Sequence, residues 1–343
     1  MGWLARAFGG GARGPRDVDT ALRSALHAVL DRDLELAEEQ LVRAVGMDAD
    51  GIDSYSALAR LYRTRGEVGR AIRVHQNLLL RDDLSSEQRL MVLADLGADF
   101  RQGGFTRQAV ASYESVLAED KRHLKSLRAL VSLHAKVRNY SRAIELSRRL
   151  AKLEGVDRSA AEARLYVEMA RAAHAEGDHD RARRTAKRAL RHDKSCVEAW
   201  VLLGGFEAER GRSKAALAAW AEVPRLDRRS GPLVYRQLEA TYAALGRIRE
   251  FEAYVRGLLE RQPEDTGARR ALAALLGARG EIDAAVAELR HLLGNDTDDL
   301  GARAALGRIL LSENRTADAM REYRALIDVL GRRGLLGDED KPE

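Results

Sequence analysis

Alanine recurs at a nearly constant interval along this chain, and this recurrence limits the possible folds more than any other feature. Counting from Ala37, the spacings are 34, 38, 34, 39, 34, 35, 34 and 34 residues. Around Ala71, the sequence of residues 58–80 predicts two short amphipathic helices joined by a turn at Gly66. Helix pairs this short cannot bury their apolar faces alone, so we expect successive pairs to stack. The recurring positions are Ala37, Ala71, Ala109, Ala143, Ala182, Ala216, Phe251, Ala285 and Ala319.

Three further columns of residues repeat in step with the alanine. The residue twelve places before it is mostly small, and the residues four and seven places after it are mostly apolar. Offsets of four and seven lie on one helical face. A period of about 34 residues with a small residue in the second helix is typical of the tetratricopeptide repeat. The sequence therefore predicts an all-α fold, a right-handed superhelical solenoid of about nine tetratricopeptide helix-turn-helix repeats in residues 17–331.

The two ends of the chain differ in composition from the repeats. Residues 1–16 are basic and rich in glycine, which predicts a flexible leader. Alternatively, Trp3, Leu4 and Phe8 contact a membrane surface weakly. Residues 332–343 are acidic and are expected to be disordered. Because no apolar run approaches the ~20 residues that span a bilayer, we expect a cytoplasmic protein, with peripheral contact at the inner membrane as the alternative.

No residue pattern in the sequence indicates an enzyme. The only cysteine, Cys196, can form neither an internal disulfide nor a cysteine-based zinc site, and we interpret it as a packing residue. His174 and His179 bracket two acids in the string HAEGDHD, which could suggest a metal site. This string falls at a predicted turn and has no ligands at a helical spacing, so we interpret it as structural. No catalytic residue, metal site or cofactor is predicted.

Basic side chains dominate the face that the first helix of each repeat would turn to the concave side. Few acids share these positions: Asp53, Glu198 and, one residue along, Glu209. A surface of one charge attracts acidic partners, which predicts a groove for an acidic peptide or a partner helix. The alternative is a solvated face whose arginines pair with neighbouring glutamates. The predicted groove residues are Arg60, Arg63, Arg101, Lys125, Arg128, Arg164, Arg171, His174, Arg236, Arg270 and Arg308.

RNA binding is a further alternative for a basic helical repeat. Lys and Arg outnumber Asp and Glu only by 58 to 53, which is a weak indication of nucleic-acid binding. RNA recognition by such repeats also needs exposed aromatic or variable polar side chains. The aromatic residues fall in packing columns instead, so no nucleic-acid partner is expected. These residues are Tyr55, Tyr62, Phe100, Tyr166 and Trp200.

The second to fifth repeats also resemble a known family, most specifically in the second and third. LYRTRGEVGRAIRVHQNLL, followed by SSEQRLMVLADLGADFRQGGFTRQA, is similar to the corresponding repeats of lipopolysaccharide assembly protein B. In the second string, Ser85 and Gln88 stand at the spacing of a capping box. The resemblance implies a bacterial, non-catalytic scaffold that regulates lipopolysaccharide synthesis together with a membrane protease or a lipid A enzyme. A general adaptor for an unrelated protein complex remains the alternative.

Family members resemble one another in having a membrane-spanning N-terminal helix and a C-terminal zinc module with two CxxC pairs. The present sequence holds one cysteine and no apolar run of membrane-spanning length. We therefore expect it to lack both the transmembrane helix and the zinc module of that family.

Overall fold

The computed structural model describes residues 15–335, in which eighteen α-helices and one short 3-10 helix make up the regular structure. No strand occurs in that range. The α-helices pair into nine hairpins, which confirms the predicted all-α repeat fold. Most of the predicted leader and most of the predicted tail lie outside the described residues. The prediction of a single array over residues 17–331 stays a prediction, because the chain divides into two compact units that meet in sequence at Arg158 and Ser159.

The first unit contains four hairpins. Its helices are α1 Pro15–Leu30, α2 Leu34–Met47, α3 Ile52–Thr64, α4 Val68–Leu79, α5 Ser86–Gln102, α6 Thr106–Glu119, α7 Leu124–Lys136 and α8 Tyr140–Glu154. The capping box predicted before α5 is confirmed: the Gln88 amide donates to the Ser85 hydroxyl, and the Gln88 side chain accepts from the Ser85 amide. These two bonds fix the start of a helix that follows a longer linker.

The second unit contains five hairpins. Its helices are α9 Ser159–Ala175, α10 His179–His192, α11 Val197–Glu209, α12 Ser213–Leu226, α13 Tyr235–Ala244, α14 Ile248–Arg261, α15 Thr266–Ala278, α16 Ile282–Asn295, α17 Leu300–Ser312 and α18 Thr316–Arg332. The seventh hairpin departs from the others, because α13 has ten residues and follows a 3-10 helix, Arg228–Leu233, that contains Pro232. This hairpin also carries Phe251 in place of the recurring alanine, and the ring is fully buried.

The turn inside each hairpin contains one residue with a positive φ. In the second hairpin this residue is Gly66, with φ of 81°. The nine positions repeat with the same spacings as the alanines and precede them by five residues. The backbone conformation therefore shows the same repeat independently of the alanines. A left-handed conformation favours glycine because other residues bring Cβ close to a carbonyl oxygen. Three turns nevertheless use another residue: Arg32, Arg138 and Asn314.

The recurring alanines lie in the core, as predicted. Ala71, Ala109, Ala143, Ala182 and Ala216 are all fully buried. In three hairpins the residue twelve places before the recurring alanine faces the residue four places after it, and the sizes of these two compensate. Where the first is glycine, the second is a large aromatic ring: Gly97 faces Tyr113, Gly204 faces Trp220 and Gly307 faces Tyr323.

Candidate functional site

A groove of about 650 Å³ lies on the first helices of the second, third and fourth hairpins. It is lined by Arg60 of α3, by residues of α5 and α7, and by Tyr113 and the loop that precedes α7; we call it the α5–α7 groove. Its apolar lining consists mainly of Leu90, Met91, Ala94 and Ala98 on α5. Small side chains at two of these positions leave space between the helices, so the groove can admit a side chain or a short peptide.

Charges of both signs line the α5–α7 groove. Four predicted basic residues are present: Arg60, Arg101, Lys125 and Arg128. Three acids also line it: Glu87, Asp95 and Asp120. The expectation of few opposing acids therefore does not hold here, because carboxylates at other positions of α5 and in the loop before α7 also line the groove.

Two of the four cations are already paired. Arg60 donates from Nε and Nη2 to Oδ2 of Asp95, at 2.9 and 2.6 Å. Arg128 donates from the same two nitrogens to Oε1 of Glu154, at 2.9 and 2.5 Å. The Arg128 and Arg158 guanidinium groups together lower the pKa of Glu154 below its ordinary value, with the Arg158 hydrogen bond as the larger cause. These arginines have part of their hydrogen-bonding capacity occupied within the protein.

The other two cations, Arg101 and Lys125, are open cations, that is, basic side chains without an ion-pair partner among the described residues. Both side chains are exposed, and neither forms an ion pair with any residue that the structure describes. They lie beside the apolar residues of α5. Such an arrangement can bind an anionic group and an adjacent apolar group together, because the cations lose no internal partner when a ligand arrives.

Arg63, by contrast, pairs with a buried acid. Its Nη1 donates to Oδ1 of Asp99 at 2.8 Å and to the carbonyl oxygen of Asp95 at 3.2 Å. Asp99 is fully buried and also contacts the fully buried His75. Arg63 does not line the α5–α7 groove. Its charge therefore compensates a buried carboxylate.

The predicted residues of the second unit are spread over four first helices, α9, α13, α15 and α17, and fall into two groups. Arg171 pairs with Glu168 at 3.0 Å, Arg270 lies 3.6 Å from Asp299, and His174 Nε2 lies 3.6 Å from Glu209 Oε1. The others are exposed and form no ion pair within the described part of the chain: Arg164, Arg236 and Arg308. Of these, Arg164 borders a cavity of about 430 Å³.

Cys196 lines that same cavity, but its thiol is poorly suited to act as a nucleophile. The residue is 5% exposed, which confirms the interpretation as a packing residue. Burial raises the pKa of the thiol, and the nearby Glu198 and Asp193 carboxylates act in the same direction. The reactive thiolate is therefore disfavoured at neutral pH.

Sequence reasoning missed the acids that neutralise the arginines. Asp95 follows Arg60 by 35 residues and Asp99 follows Arg63 by 36, so each pair joins successive hairpins. An acid about one repeat after an arginine is the signal that could have identified these pairs. Sequence reasoning also missed Glu209 as the neighbour of His174 and His179.

Within residues 15–335, no helix combines the length and the apolar character that a bilayer crossing requires.

Comparison with known proteins agrees with this architecture. Residues 54–87 and 167–228 match the tetratricopeptide repeat. Over 222 residues, the chain is 29% identical to lipopolysaccharide assembly protein B of Escherichia coli K12, which covers 64% of this chain and 56% of that protein. The chain contains tetratricopeptide repeats and is similar to lipopolysaccharide assembly protein B. The resemblance predicted from the second to fifth repeats is thus confirmed, over 222 residues.

Two further proteins are similar to this chain. The Haemophilus influenzae protein of the same name is 24% identical over 238 residues, which cover 69% of this chain and 60% of that protein. The matched part thus spans little more than half the length of these relatives. The C-terminal part of a tetratricopeptide protein from Cytophaga hutchinsonii is 13% identical, with a TM-score of 0.47 over 73% of this chain and 99% of that one. The tetratricopeptide repeats and the two proteins named lipopolysaccharide assembly protein B support a protein-interaction scaffold, a class that is typically non-catalytic.

Proposed function

We propose that the α5–α7 groove binds an acidic segment of a partner protein. The observation that carries this proposal is the pair of exposed cations, Arg101 and Lys125, beside the apolar residues of α5. Arg101 offers a planar fork that suits a carboxylate, and Lys125 offers a compact charge. A volume of about 650 Å³ falls in the range of ordinary ligand pockets, which suits one or two anchoring side chains of a peptide.

The acids of the groove determine which acidic segment fits. Glu87 and Asp120 repel carboxylates that approach them. A partner therefore binds best with acids opposite Arg101 and Lys125, an apolar side chain over Leu90, and neutral or basic groups elsewhere. Like-charge repulsion of this kind selects against uniformly acidic chains.

A protein partner also suits the groove better than RNA does. Tyr113 is the aromatic residue that lines the groove, and it is 4% exposed because it packs against Gly97. Bases need accessible rings on which to stack. The mixed charge of the lining gives little attraction for a continuous phosphate backbone.

The relatives suggest a biological setting for this binding. We propose that the scaffold acts in the control of lipopolysaccharide assembly, as the name of its relatives suggests. A membrane protease or an enzyme of lipid A synthesis would then be the client. Affinity purification with crosslinking from the native cell tests this setting: recovery of either class supports it, and recovery of an unrelated complex favours a general adaptor.

A charge-reversal experiment tests the groove itself. The variant Arg101→Glu/Lys125→Glu reverses both open cations. We expect the full-length variant to bind the crosslinked partner, or a labelled peptide of alternating glutamate and leucine, at least about tenfold more weakly, because attraction becomes repulsion. Binding by the unaltered protein should weaken as salt concentration rises.

The matched control is Arg107→Glu/Lys152→Glu. Both residues are exposed on second helices, and neither pairs with an acid in the described part of the chain. The net charge changes equally in the two variants, so an effect of overall charge would weaken both. Unchanged binding by the groove variant, or equal losses in both, contradicts the proposal.

A further inference from the structure

Two histidines and a glutamate converge on the surface of the second unit. His174 lies in the last turn of α9, His179 begins α10, and Glu209 ends α11. Nε2 of His174 is 3.6 Å from Oε1 of Glu209, and Nδ1 of His179 is 3.8 Å from Oε2. One ligand atom from each of the three side chains lies within 4.8 Å of the other two. We propose that this cluster binds a divalent cation of the zinc class.

The chemistry of the three side chains suits such an ion. Two imidazole nitrogens and one carboxylate oxygen form a common protein ligand set for zinc, with a fourth position left for water or another ligand. Bonds of about 2.0–2.1 Å place the ligand atoms of a tetrahedral site about 3.3 Å apart. His179 and Glu209 are 55% and 50% exposed, so rotation of their side chains can bring the atoms to that separation.

The surroundings leave these ligand atoms available. Nδ1 of His174 is buried with no hydrogen-bond partner among the described residues, and Nε2 is the nitrogen that lies 3.6 Å from the Glu209 carboxylate. The ring packs against Phe206, with centroids 5.0 Å apart, which limits its rotation. Glu209 pairs with no Lys or Arg within the residues described. The nearby Arg210 and Arg212 contact Asp180 and Glu207 instead.

A bound ion would join two successive hairpins. His174 and His179 flank the turn of the fifth hairpin, and Glu209 ends the first helix of the sixth. Cross-linking these elements stabilises the folded unit, because an ion that binds only the native arrangement shifts the unfolding equilibrium. Three protein ligands would leave a fourth position for water or for a residue of a partner protein.

Zinc titration of the full chain tests the site. Isothermal titration should show binding of one zinc ion in the micromolar range or tighter, and zinc should raise the unfolding temperature. Replacement of zinc by cobalt should produce the visible absorption of a tetrahedral Co²⁺ ion. We expect His179→Ala and Glu209→Gln each to weaken binding about tenfold or more and to remove the thermal shift.

The control variant is His291→Ala/Glu260→Gln, which removes an exposed histidine and an exposed glutamate of the same unit that lie outside the cluster. It should bind zinc as the unaltered protein does. Circular dichroism checks that each variant is folded; the two exposed ligands are chosen because His174 packs against Phe206. Absence of zinc binding by the unaltered protein overturns the proposal. So does zinc binding that His179→Ala and Glu209→Gln leave intact, or that the control variant loses equally.

Discussion

The imidazole of His75 and the carboxylate of Asp99 are fully buried, with Nδ1 and Oδ2 only 2.5 Å apart. The two residues come from α4 and α5, so this contact joins the second hairpin to the third. Arg63 of α3 completes the group by donating to the other oxygen of Asp99. A buried carboxylate is costly unless it is paired and hydrogen-bonded, so these three residues stabilise one specific stacking of the hairpins.

Removing the Arg63 charge should therefore destabilise the first unit. Arg63→Met retains an apolar stem but leaves Asp99 without its cation. We expect a loss of about 2–4 kcal/mol in the free energy of unfolding, somewhat below the range for a fully buried pair, because the Arg63 side chain is 21% exposed. Urea denaturation followed by circular dichroism measures this change.

Arg60→Met provides the comparison, since Arg60 pairs with Asp95 but is 48% exposed. An exposed pair contributes about 0.5 kcal/mol. Equal losses in the two variants would show that burial of Asp99 does not decide the effect.

Because Gly204 closely approaches Trp220, replacing this glycine by a larger residue should destabilise the fold. A Cβ atom at position 204 would overlap the indole ring, which is 5% exposed and donates from Nε1 to the carbonyl oxygen of Val201 at 3.2 Å. Gly204→Ala should lower the free energy of unfolding by about 1–3 kcal/mol through overpacking. Chemical denaturation monitored by tryptophan fluorescence reports the change.

The neighbouring Gly205→Ala is the control, because a Cβ there meets no atom within 4 Å. It should stabilise α11 by about 0.5–1 kcal/mol, since alanine favours the helix over glycine. Trp220→Leu in the Gly204→Ala background should recover part of the lost stability. A destabilised Gly205→Ala would mean that backbone conformation, rather than steric overlap, governs both sites.

The turn at Arg138 offers a route to higher stability. Arg138 has φ of 61° at a position where most of the other turns use glycine. Arg138→Gly should raise the free energy of unfolding by up to about 1 kcal/mol, because the left-handed conformation strains a residue with a Cβ. The exposed Ser132 of α7 is the control, since Ser132→Gly should destabilise by about 0.5 kcal/mol. Changes of the same sign in both variants would contradict this explanation.

Glu239 should lower the free energy of unfolding as pH rises through its pKa. It stands in the column of small residues and is partly buried, and burial raises its pKa above the ordinary value. The folded state therefore holds the proton more tightly than the unfolded state, so the ionised carboxylate destabilises the fold at neutral pH. Glu239→Gln should raise the free energy of unfolding at pH 7.

The gain from Glu239→Gln should shrink as pH falls through the raised pKa and vanish below the ordinary glutamate value of about 4.3, where both states are protonated. Denaturant titrations at several pH values measure this. The exposed Glu260→Gln is the comparison variant. A gain from Glu239→Gln that does not change with pH would assign the effect to shape instead of charge.

The sequence alone determined the repeat. The alanine spacing, the buried faces and the capping box at Ser85 were predictable because they depend on the helical period and on residues a few places apart. The same columns contain the size compensation between Gly97 and Tyr113, which the recurring offsets could have revealed. These features were predictable because each hairpin makes similar contacts with its neighbours in the stack.

Tertiary structure decided which charges are open. Arg60 and Arg101 look alike in the sequence, but stacking brings Asp95 to Arg60 and leaves Arg101 exposed without an ion pair among the described residues. Glu209 likewise meets two histidines from the preceding hairpin. Such encounters depend on how each helix is rotated against the next, which comes from packing across hairpins, while the local period fixes only which face is buried.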